Sequence, residues 1–214
     1  MRTIRLTEFP DSLVSAVSAA HDSIENGDLI IGPTETAYGL IAGAMNSSAV
    51  NKLYAVKNRP LDKPCSIFVK SVNDLSCYAA IKSDSLLKAI DQIWPGPVTF
   101  ILNSRVDHWP GVVSKDKKIG FRCSSHPFIK TLIETIDYPL TATSANLSGE
   151  EVKSVEDIAK SLGESVDLMV VDPELDFNGK LSTVVDLSEG MIEILREGKI
   201  ANDLIRGHFI NVKF

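Results

Sequence analysis

The sequence predicts an α/β fold on a twisted, open, mixed sheet flanked by helices. Three observations carry that expectation. Helical and strand-like patterns alternate along most of the 214 residues, which favours a sheet with some parallel pairing. Two late strands flank Ser188-Glu189-Gly190, an antiparallel hairpin signal that makes the sheet mixed. No repeat, low-complexity linker or charge block divides the chain, so one compact domain is expected.

The elements follow in order. Leu13, Val14, Val17, Ala20 and Ile24 recur at helical spacing, with Asp11 or Ser12 as cap and Asn26-Gly27 as stop. Leu29 to Ile31 is a short buried strand. Ala49, Leu53 and Val56 predict a second helix. Ser66 to Val69 is a strand. Leu86, Leu87, Ile90 and Ile93 line a helix that Pro95-Gly96-Pro97 ends. Val98 to Leu102 and Ile119 to Arg122 are strands. Residues 127–136 read as a helix with proline in its first turn. Leu140 to Thr143 is a strand. Ser154-Val-Glu-Asp157 is a capping box that opens a helix through Leu162. Leu168 to Val171, Thr183 to Leu187 and Ile192 to Leu195 complete the strands.

Composition narrows the class. With 44% hydrophobic and 23% charged residues, the chain is neither disordered nor a disulfide scaffold. Its net charge of −6 and pI near 5.2 disfavour bulk RNA binding, while leaving room for a local cationic pocket. Cys65, Cys77 and Cys123 cannot all pair and show no C-x-x-C spacing, which points to a reduced, cytoplasmic setting. There is no signal-peptide core and no apolar run long enough to span a membrane.

P-loop, dinucleotide-binding, zincin and nucleophile-elbow motifs are all missing. The four histidines are scattered, and His126 stands at a helix start, where a local hydrogen bond is its ordinary role. Four segments could carry chemistry instead. Gly32-Pro-Thr-Glu-Thr-Ala-Tyr-Gly39 follows a buried strand, where α/β folds place ligands, and is dense in hydroxyls. Lys57-Asn-Arg59-Pro60, with Lys63 behind, is either a basic helix end or a phosphate clamp. Thr141-Ala-Thr-Ser-Ala-Asn-Leu-Ser-Gly149 runs from a strand into small residues whose N–H groups could form an anion nest. Gly179 to Asp186, with Arg196 and the strand-end Arg122, could add an anion site shared by several strands.

Taken together these segments, with Trp94-Pro-Gly-Pro-Val-Thr99, His126-Pro127 and Ile194-Leu-Arg196-x-Gly198, resemble the YrdC-type threonylcarbamoyl-AMP synthases. The motifs occur in family order. The resemblance spans residues 7–200, leaving 201–214 as a C-terminal extension with no second domain, as in the short, single-domain form. It implies a YrdC-like open sheet over a large concave cavity. It further implies condensation of L-threonine, bicarbonate or CO2 and ATP into threonylcarbamoyl-AMP and pyrophosphate. Downstream threonylcarbamoyl-transfer proteins would then modify tRNA.

Residue by residue, the resemblance puts Lys57, Arg59, Ser144, Asn146 and Arg196 on ATP, with Lys57 and Arg59 as the catalytic cations. It puts Thr34, Thr36, Arg122 and Ser182 on L-threonine. Lys63 occupies a position where members often carry His or Asn near threonine. Mg2+ would travel with ATP, held by phosphates and water more than by protein, so no dedicated metal cage is expected. Weak tRNA contact is compatible with this picture. The alternative is a double-stranded RNA or tRNA-binding module of the same fold without the activity.

Overall fold

A computed structural model describes residues 1–81, 83–151, 154–175 and 179–214. Its strands are β1 (Arg2–Arg5), β2 (Ile30–Pro33), β3 (Tyr38–Ile41), β4 (Ser66–Phe68) and β5 (Val98–Asn103), then β6 (Lys118–Arg122), β7 (Leu140–Ser144), β8 (Leu168–Val171), β9 (Thr183–Asp186) and β10 (Glu193–Arg196). Its helices are α1 (Asp11–Glu25), α2 (Ser47–Val56), α3 (Leu75–Tyr78), α4 (Asp84–Asp91), α5 (Pro127–Glu134), α6 (Val155–Leu162) and α7 (Asn202–Phe209).

The strands form one sheet in the order β1-β8-β2-β3-β7-β4-β6-β5-β9-β10. β8 runs parallel to β1 and β2, β4 to β6, and β5 to β9. The remaining neighbours are antiparallel, including the β9–β10 hairpin. The sheet is therefore mixed, as the alternating pattern and late hairpin predict.

Apolar side chains cover both faces. Ala16, Val17, Ala20 and Ile24 of α1 meet Phe128, Leu132 and Ile133 of α5 in one buried cluster. Leu53 of α2 and Ile158 and Leu162 of α6 pack on Ile31, Leu40 and Met169 in another. Ile205 and Phe209 of α7 join Phe100, Trp94 and Ile90 in a third.

Two local expectations change. Neither Asp11 nor Ser12 caps α1; Pro10 takes that position without a side-chain hydrogen bond, and the Ser12 hydroxyl instead accepts from Glu8 N–H. Gly32 to Gly39 is mostly a hairpin, because Gly32 pairs with Gly39 and Pro33 with Tyr38, leaving a tight connection of residues 34–37. Gly32 is needed there because a Cβ would run into the Phe128 ring. Residues 202–209, within the C-terminal extension, form a helix with Ile205 and Phe209 buried.

Candidate active site

The ends of β3, β4, β5, β6, β7, β9 and β10 surround a cavity of about 280 Å³. Its lining carries three charged side chains, Arg59, Arg122 and Arg196, among hydroxyls from Thr34, Thr36, Thr99, Ser144 and Ser182. Among the described residues the lining contains no carboxylate. Such a space suits an anionic ligand with several acceptor oxygens.

One end is built on the 34–37 turn. Thr34 folds it by donating its hydroxyl to Ala37 O at 2.6 Å while its oxygen accepts from Ala37 N–H at 3.2 Å. That geometry aims both threonine hydroxyls at Arg122, the last residue of β6. Arg122 Nη2 donates to Thr36 Oγ1 at 2.6 Å and to Thr34 Oγ1 at 3.3 Å. Register places Phe68 and Thr99 on either side of Arg122, and the guanidinium lies 5.7 Å from the Phe68 ring centre.

Behind Arg122 stands Glu35. Its Oε1 accepts from Arg122 Nη2 at 2.8 Å and Nε at 3.3 Å, and its Oε2 accepts from the Ser124 hydroxyl. Burial alone would raise the Glu35 carboxyl, but Arg122 and Ser124 outweigh it and hold the group below the usual carboxylate range. Glu35 is the one carboxylate of the 32–39 segment, and its position between the two threonines sets it against Arg122 and Ser124.

The opposite wall comes from the β9–β10 hairpin. Ser182 shares a hydrogen bond with Thr99 at 3.1 Å. Arg196 donates to the Ser182 carbonyl through Nη2 at 2.9 Å and Nε at 3.1 Å, and to its hydroxyl at 3.2 Å. Burial and the like charge of Arg122 both lower Arg196, so the two guanidiniums feel each other across the cavity.

The segment after α2 supplies the third wall. Asn58 takes a left-handed turn, φ 48°, which asparagine tolerates, and the chain reverses so that Arg59 reaches the cavity. Arg59 is fixed by donating to Lys63 O at 2.8 Å and Pro64 O at 3.0 Å. Lys63 itself is exposed and outside the cavity lining.

Lys57 also lies outside that lining, with only 1% of its surface exposed. Its ammonium donates to Ser144 O, to Asn146 O at 2.6 Å and to Asn146 Oδ1 at 3.3 Å. Burial first, then the Arg59 charge, lowers it to about 8. Ser148 N–H completes the attachment by bonding Lys57 O at 2.8 Å. Lys57 thus staples the exit of β7, while the Ser144 hydroxyl, bonded to Asn146 Oδ1 at 2.5 Å, faces the ligand space. The expected anion nest is partly spent, because Ala145, Asn146 and Ser148 N–H groups all bond protein carbonyls.

His126 does what its position predicts: Nδ1 accepts from Phe128 N–H at 3.2 Å, capping α5. Its Nε2 meets Asp172 Oδ2 at 3.0 Å. Among the described residues no group of His, Cys, Asp or Glu could hold a metal ion, and Cys65, Cys77 and Cys123 are free. No described helix is long and apolar enough to cross a membrane.

Known proteins resemble this chain in sequence and fold. A Methanocaldococcus jannaschii protein, provisionally named a threonylcarbamoyl-AMP synthase, is 38% identical over 178 residues, 83% of each chain. The Photobacterium profundum threonylcarbamoyl-AMP synthase is 35% identical over 72% of this chain and 83% of its own. Pyrococcus abyssi Sua5, solved in complex with L-threonine, superposes with a TM-score of 0.86 at 26% identity. That match covers 99% of this chain but 61% of the longer Sua5 chain. The family model Sua5_yciO_yrdC, described as telomere recombination, matches residues 22–198. The chain belongs to the Sua5/YciO/YrdC family.

Proposed function

We propose that the chain is an L-threonylcarbamoyladenylate synthase that joins L-threonine, bicarbonate or CO2 and MgATP into threonylcarbamoyl-AMP and pyrophosphate. The observation that carries this reading is the all-cationic cavity, where a hydroxyl-flanked Arg122 faces Arg59 and Arg196. The threonine carboxylate docks on Arg122 at Nη1, the guanidinium nitrogen that Glu35 and the two threonines leave unbonded. Thr34, Thr36 and Ser182 provide hydroxyls for its polar groups. Arg59, Arg196, Ser144 and Asn146 serve the nucleotide, with Lys57 anchoring the last two from behind.

The chemistry has two steps. Threonine's neutral amine attacks CO2, forming an N–C bond and releasing a proton to solvent. The resulting N-carboxylate oxygen attacks the α-phosphorus of ATP, and the bond from that phosphorus to the β-phosphate oxygen breaks. Pyrophosphate leaves with the electron pair. Neither step needs a protein nucleophile; both need alignment and stabilised oxygen charge. Arg59 and Arg196 supply that charge, and Mg2+ enters as part of the nucleotide substrate. The product passes to threonylcarbamoyl-transfer proteins acting on tRNA.

Pyrophosphate release is the test. It should require ATP, threonine and bicarbonate together. Release indifferent to threonine, or salt-sensitive tRNA binding with no release, would overturn the assignment.

A further inference from the structure

The three cavity arginines are not electrically equivalent. Among the described residues, Arg122 alone of the three has a carboxylate partner, Glu35 at 2.8 Å. Arg59 and Arg196, among the described residues, bond only neutral oxygens, the carbonyls of Lys63, Pro64 and Ser182 and the Ser182 hydroxyl. Glu35 lies outside the cavity lining, so it reaches ligand only through Arg122.

The contacts also orient the guanidinium. Glu35 takes Nε and Nη2, and Thr36 takes Nη2. Among the described residues Nη1 has no hydrogen-bond partner, and Arg122 lines the cavity. The turn that carries Glu35 is itself tied down, because Lys199 donates to Glu35 O at 2.7 Å.

We propose that Glu35 is a positioning and specificity residue that sorts the two substrates along the cavity. By neutralising Arg122 it makes that end fit a zwitterionic amino acid. The unneutralised Arg59 and Arg196 form the end that fits a polyphosphate. Arg196 already feels the like charge of Arg122; without Glu35 nothing would offset that charge, and phosphates would compete for the amino-acid end. The low carboxyl titration of Glu35 keeps this division in force across neutral pH.

The inference rests on the proposed synthase reading, and calorimetry separates the two. The full chain is titrated with L-threonine, alone and in saturating inorganic pyrophosphate. Wild type binds threonine in both conditions. Glu35→Gln weakens threonine binding by about tenfold or more, and pyrophosphate then competes with what remains. Its ATP affinity, measured on the same sample, holds or improves, which reports an intact fold. Glu35→Asp keeps the charge and so keeps pyrophosphate from competing, even where the shorter side chain weakens threonine.

Wild-type threonine affinity in Glu35→Gln, equal loss of threonine and ATP binding, or an Asp variant that behaves like Gln would overturn the sorting role. Wild-type protein that binds no threonine would overturn the synthase reading itself, and the inference with it.

Discussion

Lys57 Nζ lies 2.6 Å from the main-chain oxygen of Asn146, on the protein side of the wall that Arg59 lines from the cavity side. Two cations separated by one residue are therefore placed differently, and the proposed roles differ: Lys57 holds the wall and Arg59 meets the nucleotide. A planar guanidinium cannot reproduce an ammonium's three divergent donors in a space with 1% exposure. Lys57→Arg should thus fail as badly as Lys57→Met, each raising KM for ATP with KM for threonine little changed. A direct phosphate contact predicts the contrary, partial rescue by arginine. Steady-state kinetics on both variants decides.

The same lysine gives a pH signature. Its folded value, about 8, lies below the ordinary 10.5. Between those values the unfolded chain binds the extra proton, so stability attributable to this group rises with pH. Below pH 8 the cost of burying the charge is fully present. Wild type should gain on Lys57→Met as pH rises from 8 to 10, measured by urea denaturation. A constant difference would contradict the burial argument.

His126 predicts the acid side. Burial lowers it below 6.5, against the opposing pull of Asp172. The folded state keeps the ring neutral while the unfolded chain takes up a proton as pH falls through 6.5, so stability is lost there. His126→Asn retains a capping acceptor without a titrating ring. Denaturation midpoints of wild type and this variant should converge as pH drops from 7 to 5; parallel curves would exclude the effect.

Much of this was legible in the chain. Leu29 to Ile31, Val98 to Leu102 and the Ser188 hairpin announce strands through apolar runs and turn residues. Arg2 to Arg5 does not, because an edge strand of two arginines around Thr3-Ile4 looks like a polar terminus. Tyr38 to Ile41 hides because its glycine and the hydroxyls before it resemble a ligand loop, yet Gly39 pairs both ways in the sheet. The residue types of the site were visible; their directions were not. Nothing local tells Lys57 to face inward, and only the register of β6 brings Arg122 against Glu35, 87 residues away.

The C-terminal helix was hard to read because only Ile205 and Phe209 make its buried face and Gly207 lowers its helical propensity. Its packing is nonetheless firm: Phe209 is buried and meets Phe100 edge-on at 5.9 Å. Phe209→Ala should cost about 3–5 kcal/mol, seen as a lower denaturation midpoint with unchanged slope. A loss below about 1 kcal/mol would mean the helix is not part of the core.

Gly198 is the tightest point of the β9–β10 wall. A Cβ there would strike the Leu181 oxygen and stand 2.5 Å from Ser182 C and Thr183 N, all backbone. Gly198→Ala should lose about 1–3 kcal/mol and weaken threonine binding as Ser182 shifts. Calorimetric and thermal data on one sample would show both; unchanged threonine affinity would detach this hairpin from the amino-acid site.

The most direct measurement is the fate of labelled carbon. Purified protein given isotope-labelled bicarbonate, L-threonine and MgATP should form labelled threonylcarbamoyl-AMP, matched mole for mole by pyrophosphate. Arg59→Ala should cut that yield by about tenfold or more. Pyrophosphate without label in the nucleotide product, or no product under conditions that support a known synthase, would contradict the account.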